Sequence, residues 1–271
     1  MDSSESAAVP AYLPRESWRD WWNDLRQDFK FRALPFRAFY RFRAFFYAQG
    51  RYPELRLIAH LADPGRAGID VGANLGLYTY FMARACRHVY AFEPNPNPLR
   101  ALRAVADRNV TVLGMALSES SGEADLTIPR GRKGWTNNGA ALDRDFPGRS
   151  ITLRVPCRRI DDLGIDDLGI VDVGFVKVDV EGHEAEVLRG AQETIRRDRP
   201  VIMLENEIAH AKGRFPEPFD LLRRLDYRGY FIADGVLQTL DRFSVHEFQI
   251  EPLAPGGNRR RYVRNFIFLP T

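Results

Sequence analysis

Little in this chain of 271 residues points to a membrane span or a secretory route. No apolar run approaches the roughly 20 residues that a helix needs to cross a bilayer. The opening "MDSSESAAVPAYLPRESW" is polar and broken by Pro10 and Pro14, without the charged start and continuous apolar stretch of a signal peptide. We therefore expect a cytoplasmic protein, at most peripheral at the inner membrane surface. Cysteine is scarce: Cys86 and Cys157 lack the spacing of a disulfide framework or a metal site, and are expected as buried thiols. Charge of one sign is lacking too, since a net charge of +3 does not make a dedicated nucleic-acid binder, and no nucleic-acid partner is expected. Internal repeats are absent. The length fits one large domain with an extension better than two equal domains.

One early stretch has no acids at all. From Phe29 to Tyr47, "FKFRALPFRAFYRFRAFFY" interleaves aromatics with Lys30, Arg32, Arg37, Arg41 and Arg43. After Pro35, helical spacing gathers Phe36, Phe39, Tyr40, Phe46 and Tyr47 on one side, although Arg43 intrudes there. Two readings stay open. The helix packs on the main domain with its arginines in solvent, or it touches an anionic membrane surface or lipid-linked substrate, an environment that also suits Trp18, Trp21 and Trp22. We assign residues 1–60 to this aromatic, basic, helical extension and residues 61–271 to the main domain.

From Arg66 the rhythm changes. "AGIDV", "HVYAF" and "NVTVLGMAL" read as strands, separated by helical patterns in "GLYTYFMARAC" and "NPLRALRAVADR". The strand "VGFVKVDV", a helix from about Glu184 to Arg196, "PVIMLE", a helix over "FDLLRRLDY", "GYFIAD" and the C-terminal "RRYVRNFIFLP" continue the series. Such alternation predicts an α/β fold, a Rossmann-like doubly wound and mainly parallel sheet with helices on both faces. Between Gly122 and Leu168 the rhythm lapses, with strands in "ADLTIP" and "SITLRVP" and a long polar loop, "RGRKGWTNNGAALDRDFPGR".

In such sheets ligands bind beyond the carboxyl ends of the strands, where a glycine turn lets the backbone approach. "DVGANLG" is a turn of this kind, carrying Gly72, Asn74 and Gly76, but it lacks the G-x-G-x-x-G spacing of a dinucleotide site. Asp70 at the strand end would repel a pyrophosphate and welcome a ligand with cationic groups, of which S-adenosylmethionine, with its sulfonium and ammonium, is one. Glu93 ends the next strand and is placed to accept both hydroxyl protons of a ribose. Asp70 and Glu93 together indicate a nucleoside cofactor site.

The segments "GIDVGANLGLYTY", "VYAFEPNPNPLRAL", "NVTVLGMALSESSGEADL", "FVKVDVEGHEAEVLRGA" and "RPVIMLE" resemble, in order, the motifs of FkbM-like methyltransferases, class I enzymes dependent on S-adenosylmethionine. The resemblance covers about Gly68 to Glu205. It implies a class I methyltransferase domain with an N-terminal helical extension, in which Asp70, Gly72, Asn74 and Gly76 line the methionine part of the cofactor and Glu93 holds the ribose. It also implies O-methylation of a hydroxyl on a sugar, glycan, glycolipid or polyketide.

A second acidic cluster follows "FVKV". Lys177 and Asp179 alternate onto one strand face, and Glu181 lies in the next turn with His183. Glu184 falls in the first helical turn, where it complements the helix dipole. Transfer to a hydroxyl needs alignment and loss of a proton. The candidate catalytic groups are therefore Asp179, Glu181, His183 and Glu205. A divalent ion on Asp179, Glu181 and Glu205 is the lesser alternative and is not expected. For the acceptor, a small molecule or glycan, Trp135 offers a stacking face, Asn137 and Asn138 offer hydrogen bonds, and His210 follows Glu205 closely enough to face the same cleft. The rival readings are a nicotinamide-dependent oxidoreductase and a non-catalytic membrane-associated scaffold.

Overall fold

The computed structural model describes residues 9, 10, 13, 44, 46–48, 52–131, 134, 135, 139–142, 146, 148–164 and 168–271. Most of the aromatic, basic stretch lies outside these residues. In chain order the elements are α1 (Ile58–Leu61), β1 (Ala67–Val71), α2 (Leu77–Met82), β2 (His88–Phe92), α3 (Pro96–Val105), β3 (Val110–Leu113), β4 (Ala116–Leu117), β5 (Gly122–Gly131), β6 (Gly134–Trp135), β7 (Ala141–Leu142) and β8 (Ser150–Arg158). They continue with β9 (Val173–Val178), α4 (Glu184–Arg189), α5 (Gln192–Asp198), β10 (Val201–Glu205), α6 (Glu217–Arg224), β11 (Tyr227–Ala233), β12 (Val236–Thr239) and β13 (Asn265–Pro270).

Eight strands form the main sheet in the order β12-β11-β13-β10-β9-β1-β2-β3. The run from β10 to β3 is parallel, and β13 enters antiparallel between β10 and β11. The expected Rossmann-like, mainly parallel sheet is therefore present. All of β1 and all of β9 are buried, as strands covered on both faces must be. Alternation divides their side chains. Ile69, Val71, Val176, Val178, Ile202 and Leu204 join one core cluster with α4, α5 and α6, whereas Phe175 and Met203 join another with Leu55, Ile58, Tyr78 and Met82. Pro53 to Leu61 thus contributes directly to the second core.

Three sequence readings need correction. "NVTVLGMAL" is not one strand: β3 ends at Leu113, and β4 pairs with β8 in a second, five-stranded sheet. The long polar loop is partly sheet, because β6 and β7 both pair with β5. Two-residue strands leave no periodic signature, which is why the sequence hides them. The helix expected from Glu184 to Arg196 is two helices. A Cβ on Gly190 would lie 2.0 Å from the Ser118 carbonyl oxygen, and Asp161 caps the second helix through Thr194 N at 2.8 Å and Glu193 N at 3.2 Å. Both thiols are buried, as expected, and burial pushes Cys86 up to about 12. Among the described residues no helix is long and apolar enough to cross a membrane.

Candidate active site

The turn after β1 passes through Gly72, Asn74 and Gly76 with φ of 75°, 49° and 83° before entering α2. The N–H groups of Gly72 and Ala73 donate to the Phe92 carbonyl at 3.0 and 2.9 Å, tying the turn to the end of β2. A Cβ on Gly72 would sit 1.9 Å from the Asp179 carbonyl oxygen. Glycine is therefore required because the turn packs on the end of β9, a protein contact rather than the ligand approach inferred from sequence.

Glu93 staples two turns. Its Oε2 accepts the Asn74 N–H at 2.7 Å and its Oε1 the Asn95 N–H at 2.8 Å. Burial still raises its carboxyl to about 7, with those N–H groups working against the rise. Asp70 is only 1% exposed, and its Oδ2 accepts the Thr79 hydroxyl at 2.5 Å. Burial lifts it to about 6, opposed by Thr79 and by Lys177, its register partner on β9. Asp70 thus shapes the turn and its potential from beneath.

At the ends of β9 and β10 a second group assembles. Asp179 hydrogen-bonds Glu205, and burial of the two acids together pushes both upward, Glu205 well above the ordinary carboxylate range. Two cations restrain the pair: Lys177 Nζ lies 4.0 Å from Asp179 Oδ2, and Arg264 Nη1 lies 3.7 Å from Glu205 Oε1. Lys177 is wholly buried, donates to the Val178 carbonyl at 3.0 Å and sits 4.7 Å from the Tyr78 ring centre. The Tyr78 hydroxyl donates to Glu54 Oε1 at 2.9 Å, and Asn265 Nδ2 reaches the same oxygen at 2.7 Å. Thr79, Tyr78, Glu54 and Arg264 were not singled out from sequence. A lysine inside the apolar "FVKV" was the signal for this network, whereas nothing local marks Arg264 or Glu54.

Glu181, whose charge also raises Asp179, makes its own contacts in the next turn. Its backbone is left-handed, with φ of 56°, and its Oε2 lies 2.7 Å from His210 Nδ1. Its Oε1 accepts the Gly139 N–H at 3.2 Å, joining it to the segment before β7. Gly182 follows at φ of 101°, where a Cβ would meet the His210 carbonyl oxygen at 2.4 Å.

Comparison with known proteins gives the family. The profile of the methyltransferase FkbM domain matches residues 70–232, more than half of the chain and the span that holds most of these groups. The chain belongs to the FkbM methyltransferase family. Hexuronic acid methyltransferase AglP of Haloferax volcanii is 28% identical over 164 residues, covering 57% of this chain and 62% of its own length. The crystal structure of methyltransferase FkbM from Methylobacillus flagellatus KT aligns over 83% of this chain and 50% of its own, with 18% identity and a TM-score of 0.49. Precorrin-6y C5,15-methyltransferase from Geobacter metallireducens GS-15 aligns over 82% and 87%, with 14% identity and a TM-score of 0.43.

The other candidates occupy different places in the FkbM domain. His183 is buried, with Nε2 2.8 Å from the Ser118 hydroxyl and Nδ1 3.8 Å from Glu186, whose other oxygen pairs with Arg214. These contacts tie His183, one of the candidate bases, to Ser118 and Glu186. Glu184 reaches back to the N–H groups of Gly182 at 3.0 Å and Val180 at 3.4 Å, so it holds the turn that carries Glu181. Trp135 lies in β6, packs against the Leu126 cluster and has the Arg130 guanidinium 4.8 Å from its ring centre. The face expected to stack on a sugar is thus shared with its own hairpin. Asn137 and Asn138 lie outside the described residues. No described group of His, Cys, Asp and Glu is arranged to hold a metal ion: Asp179 and Glu205 pair with each other, and Glu181 goes with His210.

Proposed function

We propose that this chain is an S-adenosylmethionine-dependent O-methyltransferase whose acceptor is a hydroxyl of a sugar, glycan or related polyol, with residues 61–271 together with the packed Pro53–His60 segment as its class I methyltransferase domain. The observation that carries this reading is the pair of buried carboxylates at the ends of adjacent parallel strands, Asp70 beneath the glycine turn and Glu93 stapling it. Glu93 suits the ribose of either nucleoside cofactor, whereas Asp70 beneath the turn disfavours a doubly charged pyrophosphate and favours a sulfonium and an ammonium. The donor set therefore fits the cofactor, and speaks against a nicotinamide dinucleotide. When bound, S-adenosylmethionine supplies an electrophilic methyl group on sulfur.

Around it the chain's own residues divide the work. Glu93 retains acceptor capacity for ribose hydroxyls beyond its two N–H bonds. The Gly72–Gly76 turn holds the methionine portion. Asp179 and Glu205 bring two carboxyl groups together at adjacent strand ends, suited to orienting the hydroxyls of a polyol. Support for a sugar comes from family membership and from the relative named for hexuronic acid.

Calorimetry with S-adenosylhomocysteine, S-adenosylmethionine and NAD tests the cofactor. The first two bind and NAD does not, and Glu93→Ala weakens binding by roughly 1.5–3 kcal/mol, the range for a hydrogen bond to a charged group. Unchanged affinity in a folded variant moves the ribose elsewhere. Transfer of labelled methyl to uronic-acid glycans and neutral glycans tests the acceptor class.

A further inference from the structure

Three observations converge on one corner of the molecule. Asp179 touches the cofactor turn through its carbonyl against Gly72, Glu181 comes two residues later, and Gly182 packs on the backbone of His210. Glu181 is thereby held between the turn region, the Gly139 segment and His210. The two side chains are partly open, 24% exposed for Glu181 and 28% for His210, whereas Asp70 and Glu93 are buried.

The segment bearing His210 is fixed from behind. Asn206 Nδ2 donates to the Phe215 carbonyl at 2.8 Å. Gln249, buried in a π-helical turn over His246–Ile250, accepts the Ile208 N–H at 2.7 Å and donates to the carbonyls of Asn206 and Val263 at 2.8 and 2.9 Å. His210 N in turn donates to the Glu207 carbonyl at 2.9 Å, and Glu207 is held by the Tyr262 hydroxyl. A ring positioned this firmly, with a carboxylate on Nδ1, has its tautomer set. A carboxylate 2.7 Å away favours the proton on Nδ1 and, in the neutral ring, the lone pair on Nε2.

We propose that His210 is the catalytic base of this domain and Glu181 its positioning residue, an assignment that rests on the methyltransferase reading above and names the acceptor atom as a hydroxyl oxygen. In the step, the acceptor O–H bond breaks and its proton bonds to His210 Nε2. The freed oxygen pair forms the bond to the methyl carbon, and the carbon–sulfur pair stays on sulfur. The imidazolium so formed faces the Glu181 carboxylate, which stabilises it. Asp179 is already engaged, hydrogen-bonded to Glu205 and 4.0 Å from the Lys177 ammonium, which leaves it the poorer base. The assignment bears on the acceptor, since a uronic acid offers hydroxyls and a carboxylate, and the carboxylate, already anionic, needs no base. An oriented histidine base therefore points to hydroxyl methylation.

Two measurements test it. In ligand-free protein labelled with 15N-histidine, long-range proton–nitrogen NMR reads the tautomer of His210, assigned by loss of its signals in His210→Gln. A neutral ring protonated on Nδ1, with that preference lost in Glu181→Gln, is the expected result. A native ring protonated on Nε2 overturns the pair, whatever the acceptor proves to be. In methyl transfer to a glycan hydroxyl, His210→Gln lowers kcat by about a hundredfold or more and Glu181→Gln by about tenfold, with S-adenosylhomocysteine affinity within a few-fold of native. Turnover within threefold of native in both variants overturns the assignment. Loss of hydroxyl transfer with retained transfer to a uronic carboxylate supports it. A native chain that binds S-adenosylhomocysteine but methylates nothing offered counts against the acceptor reading alone, and the NMR result then decides the pair.

Discussion

Glu184 shows how one residue links charge to stability. Its carboxyl is buried and raised from 4.5 to about 7, although two backbone N–H groups bond to it. Below pH 4.5 the folded and unfolded chains both hold the proton. Between there and about pH 7 the folded chain keeps a proton that the unfolded chain has released, so stability falls as pH rises through this window. Glutamine keeps the accepting oxygen without the charge. Thermal unfolding of Glu184→Gln is therefore expected to match native near pH 4.5 and to exceed it at pH 8, by on the order of 3 kcal/mol, since each tenfold change in proton affinity is worth about 1.4 kcal/mol. Equal unfolding curves at pH 8 mean that Glu184 ionises there without cost. Asp70 and Glu93, raised to about 6 and about 7 by burial, shift native stability in the same direction, so the ligand-free protein is less stable at pH 8 than those carboxylates would allow in solvent.

At the scale of elements, turns are fixed by distant backbone as much as by their own residues. Gly72→Ala places a Cβ at φ of 75° and 1.9 Å from the Asp179 carbonyl, whereas Gly213→Ala places one at φ of 81° with nothing within 4 Å. Both variants carry left-handed strain of about 1–3 kcal/mol. Only the first also drives β1 from β9, so urea denaturation is expected to show a distinctly larger loss for Gly72→Ala, with weakened S-adenosylhomocysteine binding. Similar midpoints for the two variants would mean that the ends of β1 and β9 yield easily. Likewise Asp161→Ala removes the cap of α5 and is expected to lower stability by about 0.5–2 kcal/mol. These contacts also explain what the sequence made legible. Asp70, Glu93, Asp179 and Glu205 stand at strand ends that apolar runs announce, so acid and strand were readable together. The break at Gly190 depends on Ser118 and on Asp161, both about thirty positions or more away, and no local pattern carries it. The Glu181–His210 pair was legible only as two separate candidates, since its pairing depends on how Gly182 packs.

For the whole molecule, the decisive question is where the domain begins. The boundary drawn from sequence after residue 60 followed the change in rhythm at Arg66, yet the described residues before it are tied to the centre of the sheet. Leu55 and Ile58 are wholly buried against Met82, Phe175 and Met203, and Glu54 accepts from Tyr78 on α2 and from Asn265 at the start of β13. Removing Pro53–Leu61 exposes one face of β9 and leaves Tyr78, Lys177 and Asn265 around a lost carboxylate. Two buried aliphatic side chains alone account for about 3–6 kcal/mol at roughly 1.5–3 kcal/mol each. At about 2–4 °C per kcal/mol for a chain of this size, a protein starting at Ala62 is expected to melt about 6–24 °C below one starting at Tyr52. Differential scanning calorimetry of the two truncations checks this. If both melt together, the segment is an appendage and the domain begins where the alternation does. If the longer form alone melts like the native chain, the Glu54 network belongs to the domain, and the buried lysine under the Asp179–Glu205 pair depends on a residue that precedes every motif of the family.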